Sequence, residues 1–237
     1  MSAPYSTEAA YAVARPAFDL LCHLRGAAPR RIGVLSSSPS AADGRVGRLF
    51  PGAAAIEPLD LRRLETIPAT AREPYDLIYS AGAVEWRPAL RRLLPRLTAR
   101  LAAGGALAAQ LPNDLYEPYR AAARLVAADG PWTSALLPVA KTRPFNVTME
   151  QLHALLKPWC ASVEVWETTY LLALGRVEDI ADVMLEGVLA PFLEALDPPS
   201  RTRFLDRYLA ELRTAYPPQA GGEVLVRTPM IFVVARR

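Results

Sequence analysis

Apolar and polar residues alternate along this chain in two rhythms, one typical of helices and one typical of buried strands. In the first half, strands are predicted at 31–36, 55–61, 75–80 and 106–111, and helices at 7–25 and 89–101. Gly104 and Gly105 close the second of these helices and lead into the next strand. Strands that alternate with helices in this order predict a parallel sheet with helices on both faces.

The second half continues the alternation and adds consecutive helices. Helices are predicted at 117–128, 148–156, 177–189 and 200–215, and strands at 162–170 and 223–235. Thr148 and Gln151 have the capping-box spacing that opens a helix. We predict a single α/β domain over 1–237, with a helical cap at about 177–216 over the carboxyl edge of the sheet.

Composition and charge exclude several classes of function. The net charge is +3 and the arginines are scattered, so a nucleic-acid partner is not expected. Cys22 and Cys160 are far apart, and His23 and His153 have no partner at a metal-binding spacing, so we expect no disulfide and no metal site. The chain has no apolar run of roughly 20 residues and no targeting segment, which predicts a cytoplasmic protein without a membrane partner.

Several ordered motifs then support a family resemblance. They are Tyr75-Asp-Leu-Ile-Tyr79, Glu85-Trp-Arg-Pro88, Leu101-Ala-Ala-Gly-Gly105, Gln110-Leu-Pro-Asn-Asp114, Val165-Trp-Glu-Thr-Thr-Tyr170, Ala190-Pro-Phe-Leu193 and Ile231-Phe-Val-Val-Ala-Arg236. Over residues 75–237 the chain resembles the trans-aconitate methyltransferases. The resemblance implies a Rossmann-like class I methyltransferase fold, in which a C-terminal strand runs antiparallel, and S-adenosylmethionine as the cofactor if the family activity is retained.

The resemblance is weakest where the family holds its methyl donor. There the first strand ends in an acidic residue and a glycine-rich turn, because glycine lets a ligand approach the backbone closely. This chain has Val34-Leu-Ser-Ser-Ser-Pro-Ser40 instead. By position, the cofactor contacts carried over from the family are Leu35, Ser36 and Gly82. We interpret the serine-rich segment as an N-capped turn without a ligand.

The residues between Phe50 and Asp76 are too few for two strands and a helix of the family, so one strand-helix unit is predicted to be deleted. Two alignments remain open. In the first, 55–61 is the family's third strand, and Asp60 takes the adenine-contacting position. In the second, Glu57 is the acid of the second strand that binds the ribose hydroxyls.

The acceptor pocket differs from the family's as well. Where the family surrounds carboxylates with arginines and tyrosines, this chain has Glu167, Ala190 and Met230, which argues against trans-aconitate as its substrate. The candidate pocket residues that remain are Trp86, Arg143, Trp166, Tyr170, Tyr208 and Arg227. For the aromatic residues of this set we favour a role in the protein core.

Three functions are compatible with these residues. The first is a divergent family member with impaired S-adenosylmethionine binding, whose pocket serves another small-molecule task or binding alone; no tightly bound cofactor is then expected. The second is an active S-adenosylmethionine-dependent methyltransferase of a small carboxylate or other small acceptor. The third is a non-catalytic subunit that stabilises a related enzyme. The partner is accordingly a small-molecule ligand or a protein subunit.

Overall fold

A computed structural model describes residues 7–24, 26–35, 39–59, 73–81, 90–141 and 147–237. Its strands are β1 (Arg31–Leu35), β2 (Ala55–Pro58), β3 (Tyr75–Ala81), β4 (Leu101–Pro112), β5 (Ser162–Leu174) and β6 (Val224–Arg236). Its helices are α1 (Thr7–His23), α2 (Pro39–Leu49), α3 (Leu90–Thr98), α4 (Pro118–Ala128), α5 (Thr133–Lys141), α6 (Met149–Leu156), α7 (Val177–Met184), α8 (Ala190–Glu194) and α9 (Pro198–Ala215).

The strands form one mixed sheet in the order β2-β1-β3-β4-β6-β5. Strands β2, β1, β3 and β4 pair in parallel, and β6 pairs antiparallel with β4. The predicted fold class, a parallel sheet with a C-terminal antiparallel strand and helices between the strands, is confirmed.

The position of β2 at the edge of the sheet can be compared with the two predicted alignments of residues 55–61. Ile56 lies opposite Ile32, so β2 pairs directly with β1 on the side away from β3. In a doubly wound sheet of order 3-2-1-4-5, the second strand occupies this position. The alignment in which Glu57 is the acid of the second strand requires β2 to lie there. Within the described residues, which omit 60–72, no strand lies beyond β2, and the deletion of one strand-helix unit stays a prediction. Asp60 lies outside the described residues.

The described residues cluster into two compact units. The sheet unit takes its residues from Ala14–Asn113, Phe145–Thr168 and Met230–Arg237, and the helical unit from Met1–Val13, Asp114–Pro144 and Thr169–Pro229. Helices α7 to α9, which cover the predicted cap, belong to the helical unit. The single domain and the placement of the cap over the sheet stay predictions.

The core of the sheet unit lies where aliphatic side chains of the strands meet two helices. Leu35, Ile78, Leu107 and Val233 are buried in one cluster with leucines of α3 and α6. Burial of each such side chain contributes about 1.5–3 kcal/mol, so this cluster fixes the register of the central strands. The predicted capping box is confirmed, since Thr148 Oγ1 accepts from the Gln151 amide and the Gln151 side chain accepts from the Thr148 amide.

The helical unit has its own core, built from α4, α7 and α9. Val126, Ile180, Phe204 and Leu212 are buried in it, and Trp132 packs edge-on against Phe204 with ring centres 5.6 Å apart. The sequence predicted one helix over 177–189. The structure instead ends α7 at Met184 and continues with a π-helical turn over Leu185–Leu189 before α8.

Candidate functional site

The carboxyl ends of three parallel strands meet at one edge of the sheet unit. Leu35, the last residue of β1, lies opposite Ser80 of β3, and Ser80 lies opposite Ala109 of β4. In open α/β sheets ligands bind outside this edge, so it is the first place to search for a site. Leu35, predicted as a cofactor contact, lies there but is buried in the core.

Two polar side chains at this edge are buried without a partner. Ser80 is 0% exposed and Gln110 is 6% exposed. Neither Ser80 Oγ nor Gln110 Oε1 has a hydrogen-bond partner among the residues that the structure describes. A buried polar group left unpaired costs about 1–3 kcal/mol, so these two atoms mark a place where a further hydrogen-bonding group would be stabilising.

The side chains of Ser80 and Gln110 lie on opposite faces of the sheet. Ser80 is in register with Ala109, and Gln110 is the next residue along β4, so its side chain points to the other face. Sequence analysis did not single out either residue. The available signal was a polar residue near the carboxyl end of an otherwise apolar buried strand.

Glu57 is bound by the protein's own side chains. Arg31 Nη2 donates to both of its carboxylate oxygens, at 3.1 and 3.2 Å, and the Tyr75 hydroxyl donates to Oε2 at 3.1 Å. The Arg31 guanidinium lies over the Tyr75 ring, 4.9 Å from its centre, and also binds Glu73. Both oxygens of Glu57 therefore already accept from residues of the sheet unit.

Gly33 of β1 leaves space that the chain fills itself. A Cβ atom at Gly33 would lie 2.5 Å from Leu59 Cδ1 and 3.2 Å from the Tyr75 ring. A larger residue here would require the Leu59 side chain to move, because that side chain packs directly onto the backbone of β1. The close approach that it allows is therefore used for internal packing.

Trp166 of β5 lies in an aromatic cluster. Its ring stacks on Phe232, with centres 5.2 Å apart and planes 13° apart, and lies 4.6 Å from the ring of His23. His23 Nε2 is 3.2 Å from Glu164 Oε2. These contacts agree with a structural role for Trp166. Glu167, one of the substituted acceptor positions, accepts a short hydrogen bond from the Asn113 side chain.

A polar cluster lies inside the helical unit, at the start of α4. Asp114 is 8% exposed, and its Oδ1 lies 2.6 Å from Arg120 Nε while its Oδ2 accepts from the Tyr119 hydroxyl at 2.7 Å. The Tyr216 hydroxyl accepts from the Tyr119 amide at 3.2 Å. Tyr208, predicted as a pocket residue, is fully buried in the core of the same unit.

Burial controls the ionisation of this cluster. It raises the pKa of Tyr216 to about 12 and raises the pKa of Tyr208 beyond its usual range. Burial also raises the pKa of Glu117, against the nearby positive charge of Arg227, while Asp114 adds to the increase. The phenols of Tyr208 and Tyr216 therefore stay protonated at neutral pH and each keeps an O–H group that can donate.

The remaining predicted site residues divide between the two units and the undescribed part of the chain. Tyr170, whose carbonyl accepts from Thr228 Oγ1, is buried, and Arg227 is exposed, both in the helical unit. Ser36, Asp60, Gly82, Trp86 and Arg143 lie outside the described residues. That these residues line one pocket stays a prediction.

The described residues contain neither a membrane-spanning helix nor a metal-binding cluster. No helix among them is long and apolar enough to cross a membrane. Their histidines, cysteines and carboxylates form no group of three or more that could hold a metal ion.

Comparison with curated proteins gives the family. The trans-aconitate 2-methyltransferase of Methylobacterium radiotolerans is 36% identical over 242 aligned positions, which cover 94% of this chain and 93% of that protein. The enzyme of that name from Methylobacterium nodulans is 35% identical with the same coverage, and the one from Yersinia pestis is 31% identical over 93% of this chain. The chain belongs to the trans-aconitate methyltransferase family. No family model matches it.

Solved structures agree with this family's fold. The YcgJ protein of Bacillus subtilis superposes with a TM-score of 0.54 at 9% identity, over 96% of this chain and 98% of that one. Phosphoethanolamine N-methyltransferase 2 of Haemonchus contortus, solved with phosphomonomethylethanolamine and S-adenosylhomocysteine, gives 0.51 at 10% identity, over 94% of this chain and 53% of that one. At such identities the likeness extends to the fold alone. In this family member, the site residues must therefore be judged one by one.

Proposed function

We propose that this protein is a divergent trans-aconitate methyltransferase homologue in which S-adenosylmethionine binding is impaired and a pocket binds another small molecule. The observation that carries the proposal is the engagement of Glu57. A carboxylate that grips two ribose hydroxyls needs two free acceptor sites, and of the roughly four on Glu57, three already accept from Arg31 or Tyr75. Releasing them would leave Arg31, whose side chain is 18% exposed, without this partner.

Two features of β1 support the same proposal. The strand ends at the apolar, buried Leu35, where the family resemblance calls for an acidic residue. Gly33, the glycine of β1, lies within the strand and is covered by the side chain of Leu59, so it offers no open backbone to a ligand. S-adenosylmethionine carries positive charge and a diol that carboxylates complement, and here the acid at the end of β1 is absent while Glu57 is already engaged.

The acceptor side supports a change of substrate. Glu167, Ala190 and Met230 stand where the resemblance implies groups that hold carboxylates. A tricarboxylic acid beside Glu167 would meet repulsion in addition to the cost of desolvation. We therefore propose that trans-aconitate, named as the substrate of the curated relatives, is not the substrate of this chain.

One observation favours the second candidate, an active methyltransferase of another small acceptor. Ser80 Oγ and Gln110 Oε1 lie unpaired, within the described residues, at the edge where the fold binds ligands. Either atom could position one ligand on its own face of the sheet, and little further chemistry is then needed, because methyl transfer depends mainly on proximity and orientation.

The experiment that tests the proposal is a methyl-transfer assay with labelled S-adenosylmethionine and trans-aconitate. The Methylobacterium radiotolerans relative is the positive control, and heat-killed protein is the blank. We expect incorporation at the level of the blank. Incorporation at a rate comparable with the relative would overturn both the impaired cofactor site and the changed substrate.

A further inference from the structure

The polar cluster of the helical unit contains hydrogen-bond donors that have no acceptor. The Tyr208 hydroxyl is completely buried, and within the described part of the chain it has no hydrogen-bond partner. Buried phenols normally pair their O–H group, since leaving it unpaired costs the full desolvation penalty. An unpaired phenol in the core of the helical unit therefore requires an explanation.

Arg120 offers a second donor group. Its Nε atom lies 2.6 Å from Asp114 Oδ1 in an ion pair without hydrogen-bond alignment, while Asp114 Oδ2 accepts from Tyr119. Among the described residues the Arg120 side chain has no other ion-pair or hydrogen-bond partner, so its two terminal nitrogens are available. A guanidinium fork matches the oxygens of a carboxylate or a phosphate.

Tyr216 supplies a third donor. Its oxygen accepts from the Tyr119 amide, whereas its own proton finds no acceptor in the described residues. Tyr208 and Tyr216 are buried in one cluster with Tyr119, the residue before Arg120, and α9 packs against α4, so the three groups are neighbours. Their side chains come from α4, α9 and the residue that follows α9.

We propose that Arg120, Tyr208 and Tyr216 hold a single oxyanion group, a carboxylate or a phosphate, of a small ligand. Three donors without an acceptor match an acceptor-only anion, and the pairing removes the cost of the buried Tyr208 hydroxyl. One available guanidinium fork matches one oxyanion, so a molecule with several carboxylates is a poor fit. The proposal rests on the proposed function only in requiring that a small ligand binds.

The test uses the full chain labelled with ¹³C in its tyrosine rings, without S-adenosylmethionine. Acetate and inorganic phosphate are titrated separately, and neutral acetamide is the matched control ligand. We expect saturable shifts of the Tyr208 and Tyr216 resonances with at least one anion and none with acetamide. The anion that saturates at the lower concentration identifies the ligand group as a carboxylate or a phosphate.

Tyr208→Phe provides the decisive variant. Because the hydroxyl has no partner among the residues that the structure describes, its removal should leave the stability of the ligand-free protein unchanged or higher, while anion affinity falls about tenfold or more. Tyr79→Phe is the matched control, since Tyr79 is equally buried but donates to the Ala17 carbonyl. It should lower stability and leave anion affinity unchanged.

Three results would overturn the site. They are the absence of saturable shifts with either anion, equal shifts with acetamide, and unchanged anion affinity in Tyr208→Phe. An ordered water that alone satisfies Tyr208 would give the first result. Because S-adenosylmethionine is absent throughout, failure here leaves the proposal of an impaired cofactor site untouched, and tight cofactor binding would not by itself contradict the anion site.

Discussion

Replacing Asp114 with alanine tests whether the polar cluster holds the helical unit together. The change removes the partner of Arg120 and the acceptor of the Tyr119 hydroxyl in one step. Removing one member of a buried ion pair costs about 3–5 kcal/mol. Because 18% of the Arg120 side chain is exposed, water offsets part of that cost, and we expect a loss of about 3 kcal/mol. For a chain of this size that lowers Tm by about 6–12 °C.

The assay is urea unfolding followed by tryptophan fluorescence, which Trp132 reports from within the same unit. The matched control is Asp129→Ala, which breaks another aspartate-arginine pair, with Arg207, in the same unit. Asp129 is 74% exposed there, so its loss should cost about 1 kcal/mol or less. Equal losses in the two variants, at unchanged m-values, would refute the reasoning.

Three further predictions concern single side chains. Gly33→Ala should lower the free energy of unfolding by about 1–3 kcal/mol in urea titrations, and adding Leu59→Ala, which removes the clashing methyl group, should recover part of it. Glu57→Gln should lower the free energy of unfolding by about 1 kcal/mol, since the ion pair with Arg31 is partly exposed. The calorimetric heats measured with S-adenosylmethionine should not change. A loss of cofactor binding without a loss of stability would contradict the structural role of Glu57. Because burial raises the pKa of Glu117, the wild-type protein should lose stability relative to Glu117→Gln as pH rises above 4.5. Denaturation curves at several pH values should show that the difference in unfolding free energy between the two proteins becomes smaller below pH 4.5.

Sequence alone predicted the elements whose apolar pattern is strong and local. The strands predicted at 31–36 and 75–80 end within one residue of β1 and β3, and the capping box at Thr148 is formed. Helix α5 was not predicted, and it contains Pro138, a residue that normally disfavours a helix interior. Local sequence patterns therefore predict a helix or strand well where one face of that element is clearly apolar.

The site depends on pairings that no local pattern contains. Glu57 is bound by Arg31 and Tyr75, which lie 26 and 18 residues away in the chain. The Tyr216 hydroxyl meets the Tyr119 amide across 97 residues. Sequence position suggested Glu57 as a cofactor acid and Tyr208 as a pocket wall, but only the fold brings their partners together. The resemblance gave the family correctly, because ordered motifs over 75–237 reflect ancestry.

Isothermal titration of the purified protein with S-adenosylmethionine tests the central claim most directly. The account predicts no saturable binding near ~100 μM, which corresponds to about 5.5 kcal/mol of binding free energy, because Glu57 is engaged and β1 ends in Leu35. The Methylobacterium radiotolerans relative, titrated in parallel, verifies the ligand and the instrument. A low-micromolar dissociation constant for this protein would contradict the account.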